Sequence, residues 1–552
     1  GGGWAPDRFP SPMHLRTRPV ATALAAVALL AGCTSSPDAL EPDPEPGAEL
    51  TSVGWTPEPA GELEDGGTLR LAVPVLPTTF NPVASTGPDP VRNGTLDQVL
   101  EPTTGSAVRV TADGGWEVDP DYARAVEVVE TSPLTVRVDL NPEAVWSDGT
   151  PITAADMVAT WTALNGSDDD FEVRSTAGWS DVDEVTADDD GLGYSVVFDR
   201  VRSDWPQYVY PSLPASVASS AERFNDGFDD RAVPSNGPFA ITEIDRDAGQ
   251  VVAERNPSWW GDPPRLDAVT WQAATIGVQL EALADGDLDA IEAPSPARLD
   301  EADLSGDDVR MLRSLGTEWT HLTMNGGSGP LRDASVRRAL ALALDRGELA
   351  EVVLGSDILL PGQRGYRDQS DLIATDRDES RRLLAEAGYT ADDPLTLTMP
   401  VPATTSTSTE RATAIAEQLS EVGVEVQLER VPDEDFFATR VIPLDFDLVT
   451  FTHSGSAFPL VDAKALFHPI DSPQNVTGTE DDDLGEAWDE AIATLDEERR
   501  LDLVADLDQR LLTEVPLVPL GVVPVEMVVS TAVANYGPAQ FLRPDWTAVG
   551  LR

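Results

Sequence analysis

Few residues in this 552-residue chain have the types and spacing that catalysis requires. Beyond His14 the histidines are His321, His453 and His468, and none of them forms the His-x-x-x-His pair of a helical metal site. No phosphate-binding loop and no Gly-x-Ser-x-Gly nucleophile elbow occurs, and the aspartate runs lack the spacing of a calcium loop. We therefore expect no enzymatic activity, no cofactor and no metal. Two interpretations of His453 stay open: a ligand of nickel or haem, and an ordinary histidine that is hydrogen-bonded or exposed to solvent.

The single cysteine, Cys33, ends an apolar run and directly precedes a polar segment. The stretch "MHLRTR" and then "VATALAAVALLAG" supply the positive, apolar and small-residue parts of a secretory signal peptide. The apolar run is short for a membrane span, which takes about 20 residues. Because "LAGC" resembles the bacterial lipobox, we expect residues 1–33 to form the signal peptide, with Met13 as the true start and Cys33 as the lipidation site. One cysteine also excludes internal disulfides.

Residues 34–66 are rich in Pro, Glu, Asp and Gly, without apolar periodicity. Such a composition cannot bury a core, so it predicts a disordered acidic tether that holds a folded body away from a membrane. The formal net charge of −60 argues against nucleic acid as a partner, because nucleic-acid binding needs basic patches. The chain is also too long for one compact core, and two or more lobes are expected. These features indicate a lipid-anchored protein on the extracytoplasmic face of the cell membrane.

Strand and helix patterns alternate along the folded body. Thr68 to Val75 has the alternation of a strand, and a helix is predicted from Ala154, with Thr153 as N-cap and Asp156 in its first turn. In the second half, "PLTLTMPV" predicts a strand and "ERATAIAEQLSEVGVEVQLERV" a helix, a turn and a strand. This alternation predicts α/β lobes with largely parallel sheets.

Several of these stretches resemble one protein family in order and spacing. They include "AVWSDGTPITAADMVATW", "SNGPFAITEIDRDAGQVVAERNPSWWGDPPRLDAV", "SVRRALALALDR" and "RRLLAEAGY". The similar segments resemble the extracellular solute-binding protein family 5, the peptide- and nickel-type binding subunits of ABC importers. The resemblance extends over residues 66–530, and such proteins in single-membrane bacteria are usually lipoproteins.

This resemblance implies a two-lobed α/β fold of the periplasmic-binding-protein type, class II, with an extra subdomain inserted in the first lobe. The ligand would lie in a cleft that closes by hinge motion. The implied units are 67–110, 233–317 and 517–552 for lobe I, 111–232 for the inserted subdomain and 318–516 for lobe II. Chain crossings are expected near 317–322 and 516–520. Arg337 and Arg338 are expected to be surface charges.

The predicted cleft departs from the peptide-binding members of the family. Those members often place Trp and an amino-group-binding Asp after the strand that here ends at Phe451, where this chain has His453 and Ser454. The arginine of dipeptide-binding members is also absent from "PATTSTSTE", and Asp462 is not assumed to be equivalent to the missing Asp. We therefore predict a polar, nearly uncharged pocket that binds free dipeptides weakly. The predicted ligand-binding residues are Ser85, Thr86, Asn236, Asn325, Thr404, Thr405, Phe451, His453, Ser454 and Ser456.

The leading hypothesis is a monomeric substrate-binding lipoprotein of an ABC importer. It would capture a peptide-like or other polar solute and deliver it to the permease subunits. Two alternatives stay open: a secreted hydrolase, and a sensory or adhesive lipoprotein on the same fold.

Overall fold

The computed structural model of the chain describes residues 50–87, 90–293, 308–479 and 481–552. The predicted signal peptide, Cys33 and the first part of the predicted tether lie outside these ranges. Within them, no helix is both long enough and apolar enough to cross a membrane.

Seven strands of the described chain form a first sheet. Thr68–Val73 lies in the middle and pairs in parallel with Ala268–Ala273 and with Ala290–Glu292. The outer pairings are antiparallel. In spatial order the strands are Val309–Ser314, Val525–Ser530, Ala290–Glu292, Thr68–Val73, Ala268–Ala273, Gln250–Arg255 and Phe239–Asp245.

A second sheet, of five strands in the part of the chain described here, is built around Glu318–Met324. All of its pairings are antiparallel. The other members are Val352–Val353, Leu517–Val522, Leu448–Val449 and Thr452–Ser454. Beside it, Leu395–Pro402 and Val424–Val431 form a parallel pair.

The prediction of largely parallel sheets is wrong. An alternation of strands and helices does not fix strand direction, and here strands distant in sequence lie side by side. Val525–Ser530, for example, returns between Val309–Ser314 and Ala290–Glu292 and runs antiparallel to both. The two-lobed α/β class does not depend on whether neighbouring strands run parallel or antiparallel.

Two short segments connect the two sheets. Strands Val309–Ser314 and Val525–Ser530 are neighbours in the first sheet. The strand that follows the former, Glu318–Met324, and the strand that precedes the latter, Leu517–Val522, are neighbours in the second sheet. The chain therefore passes between sheets at 315–317 and at 523–524. The first crossing adjoins the predicted range 317–322. The second lies after the predicted range 516–520, because the buried strand Leu517–Val522 pairs only with strands of the second sheet.

In the part of the chain that the structure describes, the predicted insert contains a four-stranded antiparallel sheet. The strands are Ala123–Thr131, Leu134–Leu140, Gly193–Phe198 and Val182–Ala187. Helix Ala154–Leu164 begins as predicted, since Thr153 and Asp156 form a reciprocal capping box in which the Thr153 N–H donates to the Asp156 carboxylate at 2.7 Å.

The remaining regular elements are mostly helices that cover the sheets. The α-helices are Pro90–Leu100, Ala215–Ala218, Ala221–Asp226, Ile276–Ala284, Ala334–Ala343, Arg346–Leu349, Arg377–Glu386, Ser406–Ser420, Asp433–Asp435, Leu460–Phe467, Asp482–Ala493 and Glu497–Glu514. Phe436–Val441 is a π-helix, and 3₁₀ turns cover Ala60–Glu62, Glu101–Thr103, Trp179–Asp181, Trp205–Tyr208, Gly329–Arg332 and Ser370–Ile373. In the described chain, short antiparallel pairs also join Val108–Val110 with Trp116–Val118 and Val533–Ala534 with Gly550–Leu551.

The second half of the predicted tether, residues 50–66, is ordered against the body, which corrects the expectation of disorder to residue 66. The Gly54 N–H donates to the carbonyl of Pro538, and the Gln540 N–H donates to the carbonyl of Ser52, at 2.9 and 2.8 Å. Leu63 is buried. This segment cannot build a core of its own, but its backbone forms hydrogen bonds with residues near the end of the chain, such as Pro538 and Gln540.

Arg337 is also not the surface charge that was expected. It is buried, and its guanidinium donates to the backbone carbonyls of Glu514, Val515 and Leu331. These include the last carbonyls of helix Glu497–Glu514, which have no partner inside the helix. Arg337 therefore holds that helix end in place.

Candidate functional site

Four aromatic side chains meet where the first crossing enters the second sheet. Strand Thr452–Ser454 pairs antiparallel with Glu318–Met324, in a register that places His453 opposite Trp319. Alternation along each strand puts Trp319 and His321 on one face, together with Phe451 and His453. The rings of His321 and His453 are stacked with centroids 4.5 Å apart, and the Trp319 and His453 centroids lie 5.0 Å apart.

A cavity of about 290 Å³ opens beside this cluster. Its size is at the lower end of the range for small-molecule sites, roughly 300–1,000 Å³. It combines an indole wall, hydroxyl groups, an amide and carboxylates. The lining residues are Trp319, Asp357, Ile358, Thr452, His453, Ser454, Gly455, Ser456, Pro459, Asp462, Ala463, Leu466 and Gln474.

Three of the predicted ligand-binding residues line this cavity: His453, Ser454 and Ser456. Ser454 is exposed, so its hydroxyl can reach a ligand. Phe451 lies one layer behind them. It is 3% exposed and packs edge-on against His321 and Phe437, with centroid distances of 4.3 and 5.4 Å. Phe451 therefore supports the wall of the cavity and does not provide its surface.

The two predicted asparagines have side chains that are occupied by the backbone. Asn236 is buried and exchanges two 3.0 Å hydrogen bonds with the N–H and carbonyl of Gly105. Asn325 donates to the carbonyls of Leu444 and Phe446 and accepts from the Gly327 N–H. Both arrangements hold loops together, as is usual for buried amides.

The other predicted residues lie outside the lining of this cavity. Ser85 follows a bridge between Ala84 and Val173, and Thr86 contacts Asn93. Thr404 contacts the carboxylate of Asp433, and Thr405 is the N-cap of helix Ser406–Ser420. Their predicted role in ligand binding stays a prediction.

Sequence reasoning missed Asp357 and gave Asp462 no role in ligand binding. Asp357 and Asp462 both line the cavity, so the prediction of a nearly uncharged pocket is wrong. Asp357 lies in a loop after strand Val352–Val353, where no local pattern indicates a site. Asp462 is in the first turn of helix Leu460–Phe467, shortly after the predicted ligand-binding residue Ser456, and that position was the available signal.

Desolvation disfavours the charged form of both histidines in the cluster. Burial lowers the pKa of His321 well below its usual range, and the neighbouring His453 and Arg411 lower it further. Desolvation likewise lowers the pKa of His453. His321 Nδ1 contacts the Thr323 hydroxyl at 2.8 Å. Among the described residues, no group of three or more His, Cys, Asp or Glu side chains is placed to hold a metal ion.

Part of the predicted insert lies close to the predicted second lobe near this cavity. Arg202 forms an ion pair with Asp204 at 2.6 Å and its guanidinium lies 4.7 Å from the centre of the Tyr208 ring. The charges of Asp204 and Arg202 act on Asp462 of the cavity. A smaller cavity of about 70 Å³ is lined by residues of both units. Gly115, Trp116 and Ser203 belong to the predicted insert, and residues such as Phe458 and Leu501 belong to the predicted second lobe. The predicted insert and the predicted second lobe therefore face each other across a cleft. The cavity beside Trp319 and His453 is a polar recess in the wall that the second lobe provides.

Comparisons with known proteins agree on one family. Residues 117–477 match the model described as bacterial extracellular solute-binding proteins, family 5 middle. The oligopeptide-binding protein OppA of Mycobacterium tuberculosis (strain ATCC 25618 / H37Rv) is 31% identical over 565 residues, which cover 96% of this chain and 93% of that protein.

Solved structures share the fold. The periplasmic EDTA-binding protein EppA superposes with a TM-score of 0.78 at 24% identity, covering 92% of this chain and 99% of that one. The oligopeptide-binding protein AppA of Bacillus subtilis, in complex with a nonapeptide, gives a TM-score of 0.66 at 19% identity, with 89% and 100% covered. The relatives are binding proteins, and the expected two-lobed α/β class is confirmed. The chain belongs to family 5 of the bacterial extracellular solute-binding proteins and is a substrate-binding protein of an ABC importer.

Proposed function

We propose that this protein captures an oligopeptide, or a similarly polar solute, in the cavity beside Trp319 and His453 and delivers it to its permease. The proposal extends to a lipid anchor at Cys33, a monomeric state and the absence of catalytic activity. The observation that carries it is the position of the cavity, in the wall of the cleft and next to the first crossing between the sheets.

The chemistry of the cavity supports a peptide-like solute. Hydroxyl groups of Ser454 and Ser456 and the amide of Gln474 can exchange hydrogen bonds with peptide groups, while Trp319 supplies an apolar surface. OppA of Mycobacterium tuberculosis carries the name of an oligopeptide-binding protein, and AppA of Bacillus subtilis was solved with a nonapeptide. Both names favour peptides over the other polar solutes.

Calorimetric titration of the purified chain with a library of three- to nine-residue peptides tests this function. We expect saturable binding of one peptide per protein molecule and recovery of the peptide intact by mass spectrometry. Ser454→Trp should block binding, because it fills the cavity from an exposed position. Ser420→Trp, at an exposed serine outside the cavity lining, is the matched control. Cleavage of the peptide would favour a hydrolase, and binding unaffected by Ser454→Trp would contradict this site.

A further inference from the structure

The ordered part of the predicted tether lies across the first crossing between the two sheets. The Leu315 N–H, in that crossing, donates to the carbonyl of Thr51 at 2.8 Å. Gly54 lies against the strand that enters the crossing, since a Cβ there would be 2.7 Å from the carbonyl oxygen of Arg313. Residues 51–54, which we call the strap, therefore contact the segment about which the two lobes would rotate. Hinge motions are absorbed by a few residues at such connections.

The strap is paired with a segment near the end of the chain. Val53 and Ala539 form an antiparallel β-bridge, which is flanked by the two backbone hydrogen bonds described above. The partner segment belongs to the first lobe, because Tyr536 and Trp546 are buried in the core of the first sheet. These contacts fix the strap to the first lobe.

Gln540 extends this connection to the second lobe. It is buried, and its side-chain amide donates to the carbonyl of Gly316 in the crossing and to that of Pro361 in the second lobe, both at 3.0 Å. The Ser52 hydroxyl of the strap donates to the side-chain oxygen of Gln540 at 3.3 Å. Ser52 also lies against Gly362, where a Cβ would be 2.5 Å from the serine hydroxyl oxygen. Because a rotation about the crossing would move Pro361 relative to Gln540, these contacts favour the arrangement of the lobes seen here.

The loop at residues 361–364 links the strap to the ligand cavity and to the predicted insert. Gln363 is buried, and its side-chain amide donates to the carbonyl of Ser456, which lines the cavity, at 3.1 Å. The next residue, Arg364, forms an ion pair with Asp113 of the predicted insert. The same loop thus contacts the strap, the cavity and the unit on the opposite side of the cleft. The arrangement that the strap favours is therefore a closed one.

We propose that the strap is a conformational device that holds the first crossing and stabilises the closed arrangement of the lobes. The ordered end of the tether then contributes to ligand affinity without contacting the ligand. This inference goes beyond the proposed function, which needs the cavity alone. Each lobe keeps its own buried core when the strap is released, so such a protein should still fold and should shift toward an open form.

Gly54→Val in the full chain tests the strap, because its side chain would collide with the carbonyl of Arg313 and with the ring of Pro538. Gly61→Val is the matched control, since a Cβ at Gly61, in the same ordered segment, would meet no atom within 4 Å. Without ligand, we expect the Leu315 amide of Gly54→Val to exchange its hydrogen about fivefold or more faster than in the wild type, which is the scale of one lost hydrogen bond. Small-angle scattering should give a larger radius of gyration for Gly54→Val than for Gly61→Val.

Peptide binding is a third measurement, and it alone rests on the proposed function. Peptides of three to nine residues that bind the wild type should bind Gly54→Val about threefold or more weakly, and Gly61→Val equally well. If Gly54→Val does not fold, Gln540→Met, which removes the side-chain donor at similar size, should give the larger radius and the weaker binding.

An unchanged exchange rate at Leu315 in Gly54→Val, or an unchanged radius in the folded strap variant, would overturn the inference and leave the proposed function standing. If the wild type binds no peptide, the proposed function fails instead. The ligand-free radius then still decides whether the strap stabilises the closed arrangement.

Discussion

The guanidinium Nε of Arg364 lies 2.9 Å from a carboxylate oxygen of Asp113, although 251 residues separate them in the chain. The Arg364 N–H also donates to the carbonyl of Asp113 at 2.7 Å. Gly115 makes this approach possible, since a Cβ there would lie 2.5 Å from the guanidinium carbon. The contact joins the predicted insert to the predicted second lobe.

Arg364→Gln should favour a more open form of the protein. The ion pair is half-exposed, so its contribution is up to about 1 kcal/mol, enough to shift an open–closed equilibrium several-fold. Small-angle scattering of the ligand-free variant should give a larger radius of gyration than the wild type. Arg367→Gln is the control, because its partner Asp502 lies in the same predicted lobe. Equal radii for the two variants would contradict a latching role for Asp113 and Arg364.

Phe451→Ala should act on stability before it acts on binding. Phe451 is buried between His321, Phe437 and the ring of His453, and Phe-to-Ala changes in such cores typically lower the free energy of unfolding by about 3–5 kcal/mol. Urea denaturation should show this loss. Ser454→Ala, at an exposed position, should leave stability within about 0.5 kcal/mol and instead weaken peptide binding by about 1 kcal/mol. A Phe451→Ala protein of unchanged stability would place this ring at the surface.

Asp508 should make the protein less stable as pH rises from 4 to 7. Burial raises its pKa from 3.8 to about 7, against the opposing effect of its hydrogen bonds from Ser356 and Asp357. The folded state thus keeps a proton that the unfolded chain loses near pH 4. This stabilisation is complete below pH 4 and is lost as pH approaches 7. Asp508→Asn cannot titrate. Urea denaturation at pH 5 and pH 7 should show a smaller drop for the variant, and equal drops would contradict the assignment.

Cys33→Ala should release the protein from the membrane. The lipobox-like "LAGC" supports lipidation of this thiol, and stable anchoring through acyl chains takes two of them. In cells labelled with a radioactive fatty acid, we expect the variant to lose the label and to collect in the medium. Ser35→Ala, two residues away, should stay labelled and membrane-bound. A labelled, membrane-bound Cys33→Ala protein would refute the anchor.

Local signals in the sequence were sufficient where the structure depends on near neighbours. The N-terminus of helix Ala154–Leu164 is an example, because both partners of its capping box, Thr153 and Asp156, lie within three residues. The family motifs likewise indicated the two lobes, since they occur in a fixed order along the chain.

Features that depend on distant partners were not predictable. Arg337 has the sequence context of a surface arginine, yet it is buried, and one of its hydrogen-bond partners, the carbonyl of Glu514, lies 177 residues further on. Residues 50–66 have the composition of a tether, yet they are held by partners far away in the chain, such as Pro538 and Leu315. Asp357 becomes a cavity residue because Asp508, 151 residues away, fixes its loop. Composition and periodicity contain no record of such pairings.

Native mass spectrometry of the protein purified from its own host tests the central claim most directly. The account predicts a population of protein molecules that carry one additional peptide-sized mass, which is released intact on denaturation. This population should disappear in Ser454→Trp and persist in Ser420→Trp. A bound mass that survives in Ser454→Trp, or purified protein that neither carries nor takes up any peptide, would contradict the account.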